Sequence, residues 1–223
     1  MGLDMRPMGK PLEGYEEGFE EIYRALIQGE TPQPGTRGAS GKNGQQTREE
    51  LLAEWFSIQI PSYETIEAPM VGRDQEAMDW IMQKYSEMEP RPPLDDFLQT
   101  YNGYYVIELA KQQDGVPVYR SLGQDENVFR GQFLVDCIDL VGADLVSEAW
   151  NSKLSSEALD YGNRLMAAAL SIAGEHSLEY LQTQRDPPDL DEEAIESKLH
   201  ILFSLARWLM FYGSNGHGYE ADY

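Results

Sequence analysis

Between Ile201 and Phe211 the chain presents Ile201, Leu202, Phe203, Leu205, Ala206, Trp208, Leu209, Met210 and Phe211, interrupted only by Ser204 and Arg207. Wound into a helix, that run has no polar face and must be covered on nearly every side. The remainder of a 223-residue chain therefore has to be arranged around it, unless a second copy shares it. Asp189 and Glu192, three positions apart, read as a capping pair opening this helix, and Gly213 reads as its stop. The run is too short and too interrupted to span a membrane, which takes about 20 apolar residues.

Amphipathic helices are expected upstream to supply that cover. Phe19, Ile22, Tyr23, Leu26 and Ile27 fall on one face of a helix over 16–28, whose first turns carry Glu16, Glu17, Glu20 and Glu21. Thr47 with Glu50 forms a capping box ahead of a helix to Phe56. Asp74 opens a third helix, to about Met88, and Leu94–Tyr101 is a short fourth ended by Asn102 and Gly103. A stripe of Phe133, Leu134, Cys137, Ile138 and Val141, and a long helix from Ser155 or Ser156 through Ile172, continue the pattern.

Strand signals are few. Tyr63–Glu67 reads as an edge strand, and Tyr104–Leu109 followed by the Asp114–Gly115 turn and Val116–Arg120 reads as a β-hairpin. The expected fold is α+β and predominantly α-helical: one helical domain over 1–223 with a small β-hairpin element. Residues 31–46, rich in Gly and Pro, are expected as a mobile loop, and 213–223 as a flexible tail. Gly35–Lys42 resembles a phosphate-binding loop only superficially. The spacing is one residue too long, Asn43 stands where Ser or Thr would hold magnesium, and a helix precedes it.

Composition bears on partners. Seventeen basic side chains against 39 acidic ones leave a formal charge of −22. Such a chain repels phosphate backbones, so direct nucleic-acid binding is not expected. An excess of this kind ordinarily keeps a surface soluble, and it also suits a basic protein partner or a mimic of DNA. One cysteine, Cys137, allows no internal disulfide and no cysteine-based zinc site. With no apolar run after Met1 to act as a signal peptide, a reducing, cytoplasmic location is expected.

Catalytic signatures are thin. The three histidines are scattered: His200 in the apolar helix reads as packed, His176 as a helix-end residue, and His217 as part of the Gly-rich tail. No metalloprotease motif or nucleophile elbow is present, and Cys137 falls on a buried stripe. Two weaker constellations remain. Tyr104, Tyr105 and Tyr119, with Glu108 and Arg120 as polar handles, suggest a ligand pocket beside the hairpin. Asp136 and Asp139, three apart on a helix, suggest a metal pair that Asp144 or Glu148 would complete.

The opening Met1–Met5, the segment Gly103–Leu109 with Asp114–Tyr119, and Phe129–Cys137 resemble a group of bacterial proteins to which no activity is attached, so the resemblance transfers no catalytic residue and no substrate. The expectation is a binding module without a cofactor, acting on a protein partner or on a second copy of itself. The alternatives are a carboxylate–metal enzyme for a small anionic substrate, with Arg37 and Lys42 over it, and a DNA-mimic inhibitor.

Overall fold

The computed structural model describes residues 2–27, 47–116, 127–191 and 193–222. The expected loop at 31–46 and the second half of the expected hairpin, including Tyr119 and Arg120, lie outside them. The fold is α+β and mainly helical.

In chain order the strands and α-helices are β1 (Asp4–Pro7), β2 (Lys10–Pro11), α1 (Glu16–Ile27), α2 (Arg48–Ser57), β3 (Gln59–Ile60), α3 (Ser62–Thr65) and α4 (Gln75–Glu87). There follow α5 (Leu94–Tyr101), β4 (Phe129–Arg130), α6 (Ile138–Val141), α7 (Ala143–Ser147), α8 (Ser155–His176), α9 (Ile195–Ser214) and β5 (Tyr219–Asp222). Short 3-10 turns over 107–109, 113–115, 131–137, 148–150 and 179–183 fill the connections.

Helix α9 is the axis of the molecule. Leu199, Leu202, Phe203, Leu205, Ala206, Leu209 and Tyr212 are all sealed from solvent. Its longest partner is α8, which offers Ala158, Tyr161, Leu165, Ala169 and Ala173 to the same core. The apolar faces of α9 are thus covered within one chain. The helix starts at Ile195 rather than at Asp189. Asp191 explains the delay, because its carboxylate accepts from Glu193 N at 3.1 Å and its carbonyl from Ala194 N at 2.9 Å. That local turn competes with the helix for the same backbone groups.

Both chain ends meet beside this axis. Strand β1 lies in the middle of an antiparallel sheet of order β4–β1–β5, with Met5 opposite Phe129 on one side and Ala221 on the other. The residues expected as a loose tail after Gly213 are therefore paired. Tyr219 also exchanges both backbone bonds with Lys153 at 2.9 Å, and His217 is fully buried. A second small pair, β2–β3, puts Lys10 opposite Ile60.

Two other strand expectations fail for identifiable reasons. Ser62–Thr65 is a helical turn entered through Pro61, whose φ of −63° already suits it, and Glu67 then takes a left-handed φ of 53°. The Tyr104–Val106 stretch does extend, and the backbone partner described for it lies earlier in the chain. Val71 N bonds Tyr104 O at 2.8 Å, and Val106 N bonds Pro69 O at 2.8 Å, so its partner lies some 35 residues earlier. Beyond Val106 the chain turns into the 107–109 helical turn instead of continuing as a hairpin arm.

Candidate functional site

The expected tyrosine pocket is divided in the structure. Tyr104 stacks on Trp80 of α4 with ring centroids 6.0 Å apart, and Glu108 accepts a hydrogen bond from the Trp80 indole N–H. Tyr105 faces the other way, stacked on Tyr63 at 5.0 Å, with its hydroxyl donating to Glu64 Oε1 at 2.5 Å. Arg73 closes that second group, bonding Glu64 and Asp74 and lying over the Tyr105 ring. The Tyr105 and Arg73 contacts hold the Glu64 carboxyl below its ordinary pKa. These groups saturate one another, which is how a polar clamp between segments behaves.

The two carboxylates of the expected metal pair have different surroundings. Asp139 receives the Lys198 ammonium at 3.1 Å, and Glu193 is 3.2 Å from the same nitrogen. Asp136 is exposed. Glu148 is held by Lys153 at 2.9 Å and by Arg164 at 2.6 Å, which pull its pKa down to about 2, Arg164 contributing most. Among the described residues no group of three or more His, Cys, Asp or Glu is placed to hold a metal ion. Burial pushes the Cys137 thiol up to about 12, so it stays protonated and inert at neutral pH.

A different place has the shape of a binding site. A cleft of about 460 Å³ opens between α1 and α2 on one side and β1, the turn after it and α3 on the other. That is within the range of small-molecule pockets, roughly 300–1,000 Å³. Its apolar wall is built by α2. The Thr47–Glu50 capping box starts that helix, with Glu50 N on Thr47 Oγ1 at 3.2 Å and Thr47 N on Glu50 Oε2 at 2.9 Å. One turn and more further on, Leu52, Trp55 and Phe56 reach the cleft. Trp55 is fixed by stacking on Phe19 of α1 at 3.9 Å, whereas Phe56 stands at the mouth with 68% of its surface exposed.

The opposite wall carries the polar groups. Asn127 is buried and its amide donates to Ser62 Oγ at 2.9 Å and to Tyr212 OH at 2.7 Å, tying the cleft to α9. Tyr63 adds its ring; burial raises the pKa of its hydroxyl, partly offset by Arg6, so it remains a neutral donor. Among the described residues the charged lining is Arg6, Arg48 and Glu220.

Sequence reasoning missed this cleft. Trp55 and Phe56 were legible as apolar residues of one helix, but adjacent residues point about 100° apart on a helix, and only one can enter the core. The available signal was Arg48 next to the capping residue, one of 17 basic side chains in a chain with 39 acidic ones. Compared with protein-family models, with curated proteins and with solved structures, the chain matches none, so the geometry of the cleft is what bears on function.

Proposed function

We propose that this protein works by binding, without catalysis, and that the α1–α2 cleft is where its ligand sits. The observation carrying this reading is the concave, aromatic-walled cavity in which a few fixed polar groups converge, while Asp139 and Glu148, two of the carboxylates that sequence suggested for a metal, are held in ion pairs. As part of the same proposal, nucleic acid is not a direct partner, which the charge of −22 supports, and the protein is cytoplasmic. No helix among the described residues is long and apolar enough to cross a membrane.

The test is a melting-temperature screen against a few hundred small organic compounds, paired with two-dimensional NMR. A compound at 100 times its Kd adds about 2.7 kcal/mol, worth roughly 5–10 °C for a chain of this size. The shifted resonances should include Trp55, Phe56 and Tyr63, and Phe56→Asp should reduce the effect. A screen in which nothing shifts either the melting or those resonances removes the proposal.

A second reading is a protein ligand, and the exposed Phe56 at the mouth favours it, since such a ring fits a partner's apolar side chain. It predicts capture of a protein from the native host that Phe56→Asp abolishes. A basic partner drawn by the acidic surface, as for a DNA mimic, would bind less tightly as salt rises and would ignore that substitution.

A further inference from the structure

Residues 131–137 wind as a 3-10 helix, in which side chains three apart lie one above the other. Gly131, Leu134 and Cys137 form the inward row and are buried; a Cβ on Gly131 would lie 2.6 Å from a Leu3 methyl carbon. Val135 and Ile138 form a second row, and Asp136 and Asp139 a third, both rows reaching into the start of α6. An α-helical reading of the sequence puts Ile138 on the inward stripe. The tighter winding turns it out, and it is 40% exposed beside Val135 at 50%. An apolar row and an acidic row thus run side by side on the surface. Lys198 draws a second stretch of chain to them, its ammonium 3.1 Å from Asp139 and 3.2 Å from Glu193. Two carboxylates share that one ammonium, and both stay largely in water, 63% and 81% exposed. Leu190, also exposed, belongs to the same stretch, and neither 131–152 nor 186–197 contains a lysine or arginine.

We infer that this face is a docking surface for a basic segment of a partner protein, one whose apolar side chains pack on Val135 and Ile138 while its lysines or arginines meet Asp136, Asp139 and Glu193. It is a second site, made by elements other than those of the α1–α2 cleft. Neighbouring exposed apolar side chains with a polar rim mark protein contacts, whereas single ones are ordinary surface. Here the apolar row supplies area to be taken out of water, and the acidic row beside it selects the sign of the partner's charge. A second copy of this chain would set the same acids against one another, which is costly across an interface. Nucleic acid is repelled for the same reason. A cationic segment that also carries apolar anchors satisfies both rows at once.

Fluorescence anisotropy with a short labelled peptide, leucine and lysine at helical spacing, tests this against the same peptide with serine for every leucine. The leucine peptide should bind, the serine version about tenfold more weakly, and both less tightly as salt rises. Val135→Ser with Ile138→Ser should cost the leucine peptide about tenfold. Asp136→Lys should weaken both peptides and flatten their salt dependence. Tyr180→Ser, equally exposed but on the 179–183 turn, and Phe56→Ser at the cleft should change nothing. The substituted side chains are exposed, so the variants should melt with the wild type; Leu190→Ser, outside any helix, is the apolar variant to use if the Val135 and Ile138 pair does not. A serine peptide that binds as well as the leucine one, or indifference to the apolar variants, would overturn the docking surface in favour of diffuse acidity. A dimer in sedimentation that Val135→Ser with Ile138→Ser dissolves would overturn it in favour of a second copy.

Discussion

Gly213→Ala should lower the melting temperature by roughly 4–8 °C, although alanine is the better helix former. In an isolated helix the exchange would gain about 1 kcal/mol. Here a Cβ on Gly213 would sit 2.7 Å from Leu159 N and 2.8 Å from Leu159 Cα, well inside van der Waals contact. Those atoms are backbone of α8 and cannot rotate aside, so the two central helices must separate near their crossing. Overpacking of this kind costs typically 1–3 kcal/mol and occasionally more. Because α8 and α9 carry most of the core, we set the net loss at about 2 kcal/mol, which at 2–4 °C per kcal/mol gives the stated shift. Gly18→Ala supplies the contrast. It lies inside α1 with no atom within 4 Å of its notional Cβ, so there propensity should act alone and raise stability by up to about 1 kcal/mol. Paired thermal melts decide the matter: two changes of the same sign would show that the close approach of α8 and α9 is not what holds the core.

That crossing also shows where sequence reading succeeds and where it stops. Signals contained within a few residues were legible. The Thr47–Glu50 box sits at the start of α2, and Leu94–Tyr101 is a helix at the bounds that Pro93 and Asn102 imply. The all-round apolar character of Ile201–Phe211 correctly announced a central helix, because no other position shelters it. What was not legible depended on partners distant in sequence. Tyr104–Val106 has the composition of a strand, yet its pairing with Pro69–Val71 is a choice among distant segments that composition does not rank. The Gly-rich end looked loose because glycine and histidine order nothing by themselves; β1, from the other end of the chain, orders them. The cleft has the same origin. Arg6, Arg48, Tyr63 and Asn127 come from four separate segments, and only the packing of α1 and α2 against the β1 turn brings them to one hollow.

The junction of the chain ends should also make the protein sensitive to mild acid. His217 is sealed from solvent, with Nδ1 2.8 Å from Met8 O and Nε2 2.7 Å from Thr65 Oγ1. A carbonyl only accepts, so Nδ1 carries the proton and donates to Met8, while Nε2 accepts from the Thr65 hydroxyl. The imidazole is neutral. Burial lowers its pKa to about 4; the Met8 carbonyl opposes that shift and nearby Lys10 reinforces it. In the unfolded chain the ring titrates near 6.5. Between those two values the unfolded state holds a proton that the folded state refuses, so stability is full above about pH 6.5 and falls as pH drops to about 4. Below that both states are protonated and the loss levels off. A gap of 2.5 units at about 1.4 kcal/mol per unit amounts to roughly 3 kcal/mol. Burial lowers the His200 pKa as well, with Arg207 adding to it, so the wild-type curve alone would mix two histidines. Glu148, held down to about 2, loses its contribution only below about pH 4.5 and stays outside the window. Urea unfolding at pH 7.0 and pH 4.5 therefore needs the His217→Asn comparison. The variant should be weaker at pH 7.0, because it loses ring packing against Tyr212, but its further loss at pH 4.5 should be smaller than the wild type's by about 2–3 kcal/mol. Equal losses in the two proteins would mean that the buried ring is not what acid attacks.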